Sequence, residues 1–273
     1  MPSPRLACAA LCALWMSSPP ARGQTPAGAD LVGTWRFDVV VTTRAQVPIL
    51  GEAVVETHKV MLAQVRRQAD GALRQEHVAC GMYARSNRRV AETWFPPGFI
   101  AAMHEQEYDL EVQDGPGGPD GQGGQRIRAT VSPVHLGWDP QASGGLMPLR
   151  ADAPGVVDGD SDGQPGVTVH VRAPLFGQVS VYVVQHSVTA LDGWRQDADT
   201  ITGGARLAKL EQRSLGASNP LFATNVPLTP DDTRSWFTMR RVPAGTSCED
   251  LDRVSPPQAG TPAAERAGGP ASR

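Results

Sequence analysis

Apolar, mostly β-branched side chains recur at every second position along this chain, and that alternation leaves few folds open. Val54, Glu56, His58, Val60 and Leu62 oppose Val55, Thr57, Lys59, Met61 and Ala63. Val167, Val169 and Val171 oppose Thr168, His170 and Arg172, and Val179-Ser180-Val181-Tyr182-Val183-Val184 continues the theme. Successive side chains of a strand point to opposite faces, so a period of two calls for extended chain with a buried face. The pattern predicts strands near 33–43, 52–67, 72–81, 105–113, 125–136, 166–173, 178–190, 199–214 and 235–242. Asp70-Gly71 reads as a hairpin turn, Leu175-Phe176-Gly177-Gln178 as a second tight connection. Only Pro97 to Met103 invites a short helix, with proline in its first turn. The fold class expected is all-β, a mostly antiparallel barrel or sandwich with long Gly/Pro/Asp-rich loops.

The ends read differently. Arg5 followed by the apolar run Leu6 to Met16, the break at Ser17-Ser18-Pro19-Pro20 and the small residues Ala21 and Gly23 predict a secretory signal peptide over 1–23. The run is too short to span a membrane, and no later stretch approaches ~20 apolar residues. Residues 24–30 are expected to be a flexible N-terminus, 31–248 a single β domain, and 249–273, rich in Pro, Ala and Gly, a disordered tail. An exported protein, periplasmic or extracellular, is the resulting expectation. Cys80 and Cys248 are the two cysteines left after the leader, and an even pair in an oxidising compartment predicts a disulfide. Such a bridge closes a loop of about 170 residues and destabilises the unfolded chain by up to ~5 kcal/mol. Net charge is −3, falling to −5 once Arg5 and Arg22 leave, with no long basic run, so nucleic acid is a poor fit as a partner.

Leu31-Val32-Gly33-Thr34-Trp35-Arg36-Phe37 is similar to the opening G-x-W strand of lipocalin-like barrels. That resemblance implies a tryptophan at the base of a barrel with an arginine of the last strand packed over it. In Ser235-Trp236-Phe237-Thr238-Met239-Arg240-Arg241 the expected arginine is Arg240. It also implies a small molecule or an envelope component as the partner.

The sharpest chemical motif is Asp158-Gly159-Asp160-Ser161-Asp162-Gly163-Gln164. Carboxylates at positions one, three and five, a glycine at the turn position six and a backbone carbonyl at seven suit a hard cation. The loop resembles the D-x-D-x-D-G calcium loops of dockerins and thrombospondin type-3 repeats, which implies Ca²⁺ on Asp158, Asp160, Asp162 and the Gln164 carbonyl. It departs from a helix–loop–helix site because Val169 stands at position twelve in place of a bidentate acid. A further carboxylate is then needed, with Asp152, Asp192, Asp197 and Asp199 as candidates. The same residues match G-x-S-x-G, but Pro165-Gly166 forbids the helix that a nucleophile elbow requires.

Function reads as binding or structural, an envelope-associated module with a structural calcium loop. The alternative is a hydrolase. It would need two or three of His58, His77, His170 and His186 to meet the carboxylate row Glu105, Glu107, Asp109 and Glu111 in one cleft.

Overall fold

The computed structural model describes residues 31–47, 51–87, 92–116, 118, 124–173 and 176–253. The expected leader, the residues before Leu31 and the tail beyond Arg253 lie outside them. Twelve strands form one sheet: β1 (Gly33–Val47), β2 (Gly51–Arg67), β3 (Leu73–Ser86), β4 (Glu92–Trp94), β5 (Gln106–Gly115), β6 (Gly124–Thr130), β7 (Val134–Leu136), β8 (Val167–Ala173), β9 (Gly177–Arg195), β10 (Thr200–Ala217), β11 (Leu228–Pro230) and β12 (Trp236–Arg241). Two helices join them, α1 (Pro97–Ala102) and α2 (Cys248–Arg253).

Eight of the strands close into a ring. In the order β1, β2, β3, β5, β6, β9, β10 and β12, each pairs antiparallel with the next, and β12 returns to β1. This is an up-and-down barrel, an arrangement that leaves no sheet edge in the ring. The long strands overrun it at one end. There β4 and β8 bridge β3 to β9, β7 adds to β9, and β11 adds to β1.

The strand expected over 125–136 is two strands. Thr130 pairs with Ala190 and Val134 with Ser187, so β6 and β7 spend one residue more than β9 across the gap. Pro133 in that gap has no N–H to give the ladder, and the extra residue is a bulge.

Inside the ring Trp35, Phe37, Val39, Met61, Val65, Ile127, Leu191, Ile201, Phe237 and Met239 form one buried cluster. A second cluster in the overrun gathers Phe99 and Ala102 of α1 with Leu136, Val167 and Val183.

Trp35 closes the base, its indole N–H donating to the Leu31 carbonyl at 2.9 Å. The arginine above it is Arg241, 4.3 Å from the ring centroid, and not the expected Arg240. Register is the reason: Arg241 stands opposite Trp35, whereas Arg240 stands opposite Arg36 on the other face. Arg241 also donates to the Val32 carbonyl and to Asp199. Its guanidinium lies 2.6 Å from where a Cβ on Gly33 would sit, which accounts for the glycine two residues before the tryptophan.

On the outer face of β1, Arg36 and Asp38 form an ion pair at 2.8 Å, both side chains almost fully buried. Their cover is α2, whose Leu251 is buried and accepts from Arg36 through its carbonyl. Cys80 of β3 and Cys248 at the start of α2, 168 residues apart, are joined in a disulfide that holds this cover down. The described chain therefore runs past Cys248 to Arg253, several residues beyond the point where composition alone places the tail.

Cys248→Ser is expected to cost about 2–5 kcal/mol in denaturant unfolding and to render 248–253 cleavable by protease. Unchanged stability together with unchanged protection would show that the bridge does not hold α2.

Candidate functional site

Two groups of chemistry-bearing side chains stand out among the described residues. The first is at the tip of the long connection between β7 and β8. Its neck is backbone-paired: Asp139 N–H donates to the Gly155 carbonyl, Val157 N–H to Gly137, Gly159 N–H to Gly166 and Gly166 N–H to Val157. Gly166, at φ +91°, runs so close to β9 that a Cβ there would lie 2.4 Å from the Val183 carbonyl oxygen. Only glycine allows that approach, and it anchors the neck on the barrel wall.

Beyond the neck the chain turns on its own aspartates. Asp158 accepts from the N–H groups of Asp162 (3.1 Å) and Gly163 (2.8 Å). Asp162 accepts from Gln164 N–H at 2.9 Å and from the Thr168 hydroxyl. Asp160 accepts from Thr168 N–H at 2.7 Å through one oxygen. The other oxygen of Asp160 is buried and has no hydrogen-bond partner among the described residues. One carboxylate oxygen from each of Asp158, Asp160 and Asp162 falls within 4.8 Å of the others. Burial raises the Asp160 carboxyl above its ordinary range, and the charges of Asp162 and Asp158 raise it further.

Such convergence of negative charge is what a hard cation relieves. Asp192 is engaged with Arg126, Asp199 with Arg241 and Asp152 with Arg150, and none of the four candidate additional carboxylates belongs to this group of three. The loop also packs on α1: a Cβ at Gly98 would meet the Asp160 carbonyl oxygen at 2.6 Å.

The second place is inside the barrel, between the two apolar clusters. A cavity of about 50 Å³ is lined by Phe37, Met61 and Leu191 among apolar residues and by Lys59, His77 and Ser187 among polar ones. A polar chain leads into it. Buried Gln75 donates from its amide to the Tyr108 oxygen at 2.7 Å, and that hydroxyl stands 3.3 Å from His77 Nδ1. With the Tyr108 oxygen accepting from Gln75, its proton goes to Nδ1, and Nε2 is left as the protonated ring nitrogen. Burial is the main cause that pulls the His77 pKa down to about 4. Burial likewise raises the Tyr108 hydroxyl far above its ordinary range.

The remaining histidines do not share this interior. His58 stacks on Tyr83, His170 bonds Ser180 beside Trp94, and His186 pairs with His135 near Trp138. Glu105, Glu107, Asp109 and Glu111 are exposed, with Glu107 and Asp109 held by Arg74 and Glu111 near Arg128. The cleft that the hydrolase reading needs is not formed by these residues.

Lys59, Gln75, Tyr108 and Ser187 also belong to this interior group. In the sequence Lys59 stands out as a charged residue in mid-strand between Thr57 and Met61, whereas the other three carry no signal beyond strand periodicity. No family model, no curated protein and no solved structure matches this chain.

A histidine whose pKa falls on folding takes up its proton more readily in the unfolded chain, so stability is lost as pH drops from about 6.5 toward 4. The loss assigned to His77 is on the order of 3 kcal/mol. Urea unfolding of wild type and His77→Gln at several pH values in that window checks it: the variant is expected to lose less. Parallel pH profiles would show that His77 is not desolvated in solution.

Proposed function

We propose that this protein is an exported β-barrel module, binding or structural in role, whose Asp158–Gln164 loop is set by one Ca²⁺. The observation that carries the reading is the convergence of three carboxylates around a buried Asp160 oxygen that no described donor satisfies. The Gln164 carbonyl and water would complete the coordination, as in loops of this D-x-D-x-D-G pattern. Calcium outside cells is ~mM, and sites as weak as 10⁻⁴–10⁻³ M fill there.

Export is supported by the Cys80–Cys248 disulfide, a bond that persists in oxidising compartments. Among the described residues no helix is long and apolar enough to cross a membrane. The filled barrel bears on the role. Pockets for drug-sized ligands run to ~300–1,000 Å³, whereas the interior cavity is about 50 Å³. This favours an envelope or surface component, met by the outer face and loops, over a large ligand carried within.

Calcium at 2 mM acting on a site of ~10⁻⁴ M stabilises the folded state by about 2 kcal/mol. For a domain of this size that is a rise of roughly 4–8 °C in Tm. Melts in EDTA, Ca²⁺ and Mg²⁺ are expected to show a rise selective for Ca²⁺, kept by Ser161→Ala and lost in Asp160→Asn. No shift in wild type, or the same shift in Asp160→Asn, would reduce the motif to an acidic turn.

A further inference from the structure

We propose that Lys59 is a nucleophilic amine that takes a small aldehyde or ketone into the barrel and holds it as an imine. Cavity and calcium loop share no residue, so this inference stands apart from the loop.

The chain holds 25 Lys and Arg residues, of which only Lys59 and Lys209 are lysine. Lys209 sits in β10, with its ammonium 3.4 Å from Glu211 and half in solvent. Lys59 sits in the middle of β2, opposite Val39 of β1 and Met82 of β3, and opens into the cavity. Among the described residues it makes no hydrogen bond or ion pair, and no carboxylate lines the cavity.

Lys59 is half-buried on a partly open, mostly apolar cavity, and an ammonium without a counter-ion there is disfavoured relative to the free amine. Burial lowers the Lys59 pKa from its ordinary 10.5, with no opposing charge to hold it up. Arginine at this position would stay charged, so lysine is the basic residue that can become a neutral nucleophile there.

His77 lies on the same cavity. Its Nδ1 is occupied by the Tyr108 hydroxyl, which leaves the Nε2–H as the ring's free donor. The Nζ lone pair forms the N–C bond while the carbonyl π electrons move to oxygen, to which Nε2–H donates a hydrogen bond. One amine proton passes to that oxygen and gives the carbinolamine. The second amine proton passes to the hydroxyl, the C–O bond breaks with release of water, and the nitrogen lone pair forms the C=N bond. Overall, R₂C=O and the lysine amine give the imine and one water, with no oxidant or reductant, and His77 ends as it began.

Size limits the guest. A cavity of about 50 Å³ suits a carbonyl compound of about three to five heavy atoms, given ~10–15 Å³ of such space per water-sized group. The cavity is partly open, and Met61 and Met103 on its wall are unbranched and adaptable to a guest.

The test uses the folded protein with acetaldehyde as probe, sodium cyanoborohydride to trap the imine, and peptide mapping at pH 7. Lys59 is expected to be alkylated at least about tenfold faster than Lys209, as a lysine activated by desolvation should be. That preference should vanish in guanidinium-unfolded protein, and His77→Gln should slow Lys59 without changing Lys209. Equal or faster labelling of Lys209 in the folded protein, or no adduct on Lys59, would overturn the proposal.

Discussion

Everything in this molecule depends on the last strand of the barrel finding the first. β12 pairs with β1 on one side and with β10 on the other, and these two ladders turn an open meander into a closed ring. Until they form, β1 and β10 are edges with unpaired backbone and a row of large apolar side chains beside them. Closure brings Phe237 and Met239 onto the cluster around Trp35 and Phe37, and it lays Arg241 across the indole. The contacts span about two hundred residues of sequence. Their loop-closure entropy is therefore high, and the Cys80–Cys248 bridge just beyond β12 offsets part of it.

Closure also decides which polar groups are stranded. A flat sheet would leave Lys59 with water on one side. The ring surrounds it with Phe37, Met61 and Leu191 and supplies no acid. The outer face of β1 shows the opposite solution: Arg36 and Asp38 are buried together as a pair, with a carbonyl of α2 completing the guanidinium. The two environments lie on neighbouring strands. One satisfies its charge internally and reads as structure. The other is half-buried and leaves its charge unmet, and desolvated groups without a partner are where titration and chemistry concentrate.

The fold was legible because period two survives in β8 and β9, where valine repeats on one side against polar residues on the other. In β2 the two faces are nearly equal in hydrophobicity, and the sequence does not say whether Val54, Glu56, His58, Val60 and Leu62 or Val55, Thr57, Lys59, Met61 and Ala63 turn inward. Met61 and Ala63 are buried in the ring, so the second set does. That choice carries Lys59 inside and His58 out. It could not be made before the ring was known. Arg240 and Arg241 are the same problem in miniature: both are basic, and a register of one residue selects which meets Trp35. The aspartate loop was legible for a different reason. Its geometry is local, each carboxylate bonding N–H groups within eight residues of itself, so spacing along the chain is nearly the whole determinant.

The two sites are mirror images in charge and differ in access, and access determines what each can do. Asp160 carries an orphaned oxygen at the tip of a loop whose neighbours Ser161 and Gly163 are exposed. A cation can arrive there with part of its hydration shell and keep it, which is how Ca²⁺ is held by incomplete protein cages. Lys59 lies half-buried on the wall of a small, mostly apolar cavity. A hydrated anion entering that space would have to shed its own shell, at a cost that an isolated ammonium in apolar surroundings does not return. Losing a proton to water requires no such exchange. The apolar lining therefore favours the amine over the ion pair, and with it a neutral electrophile over an anion as the guest that fits.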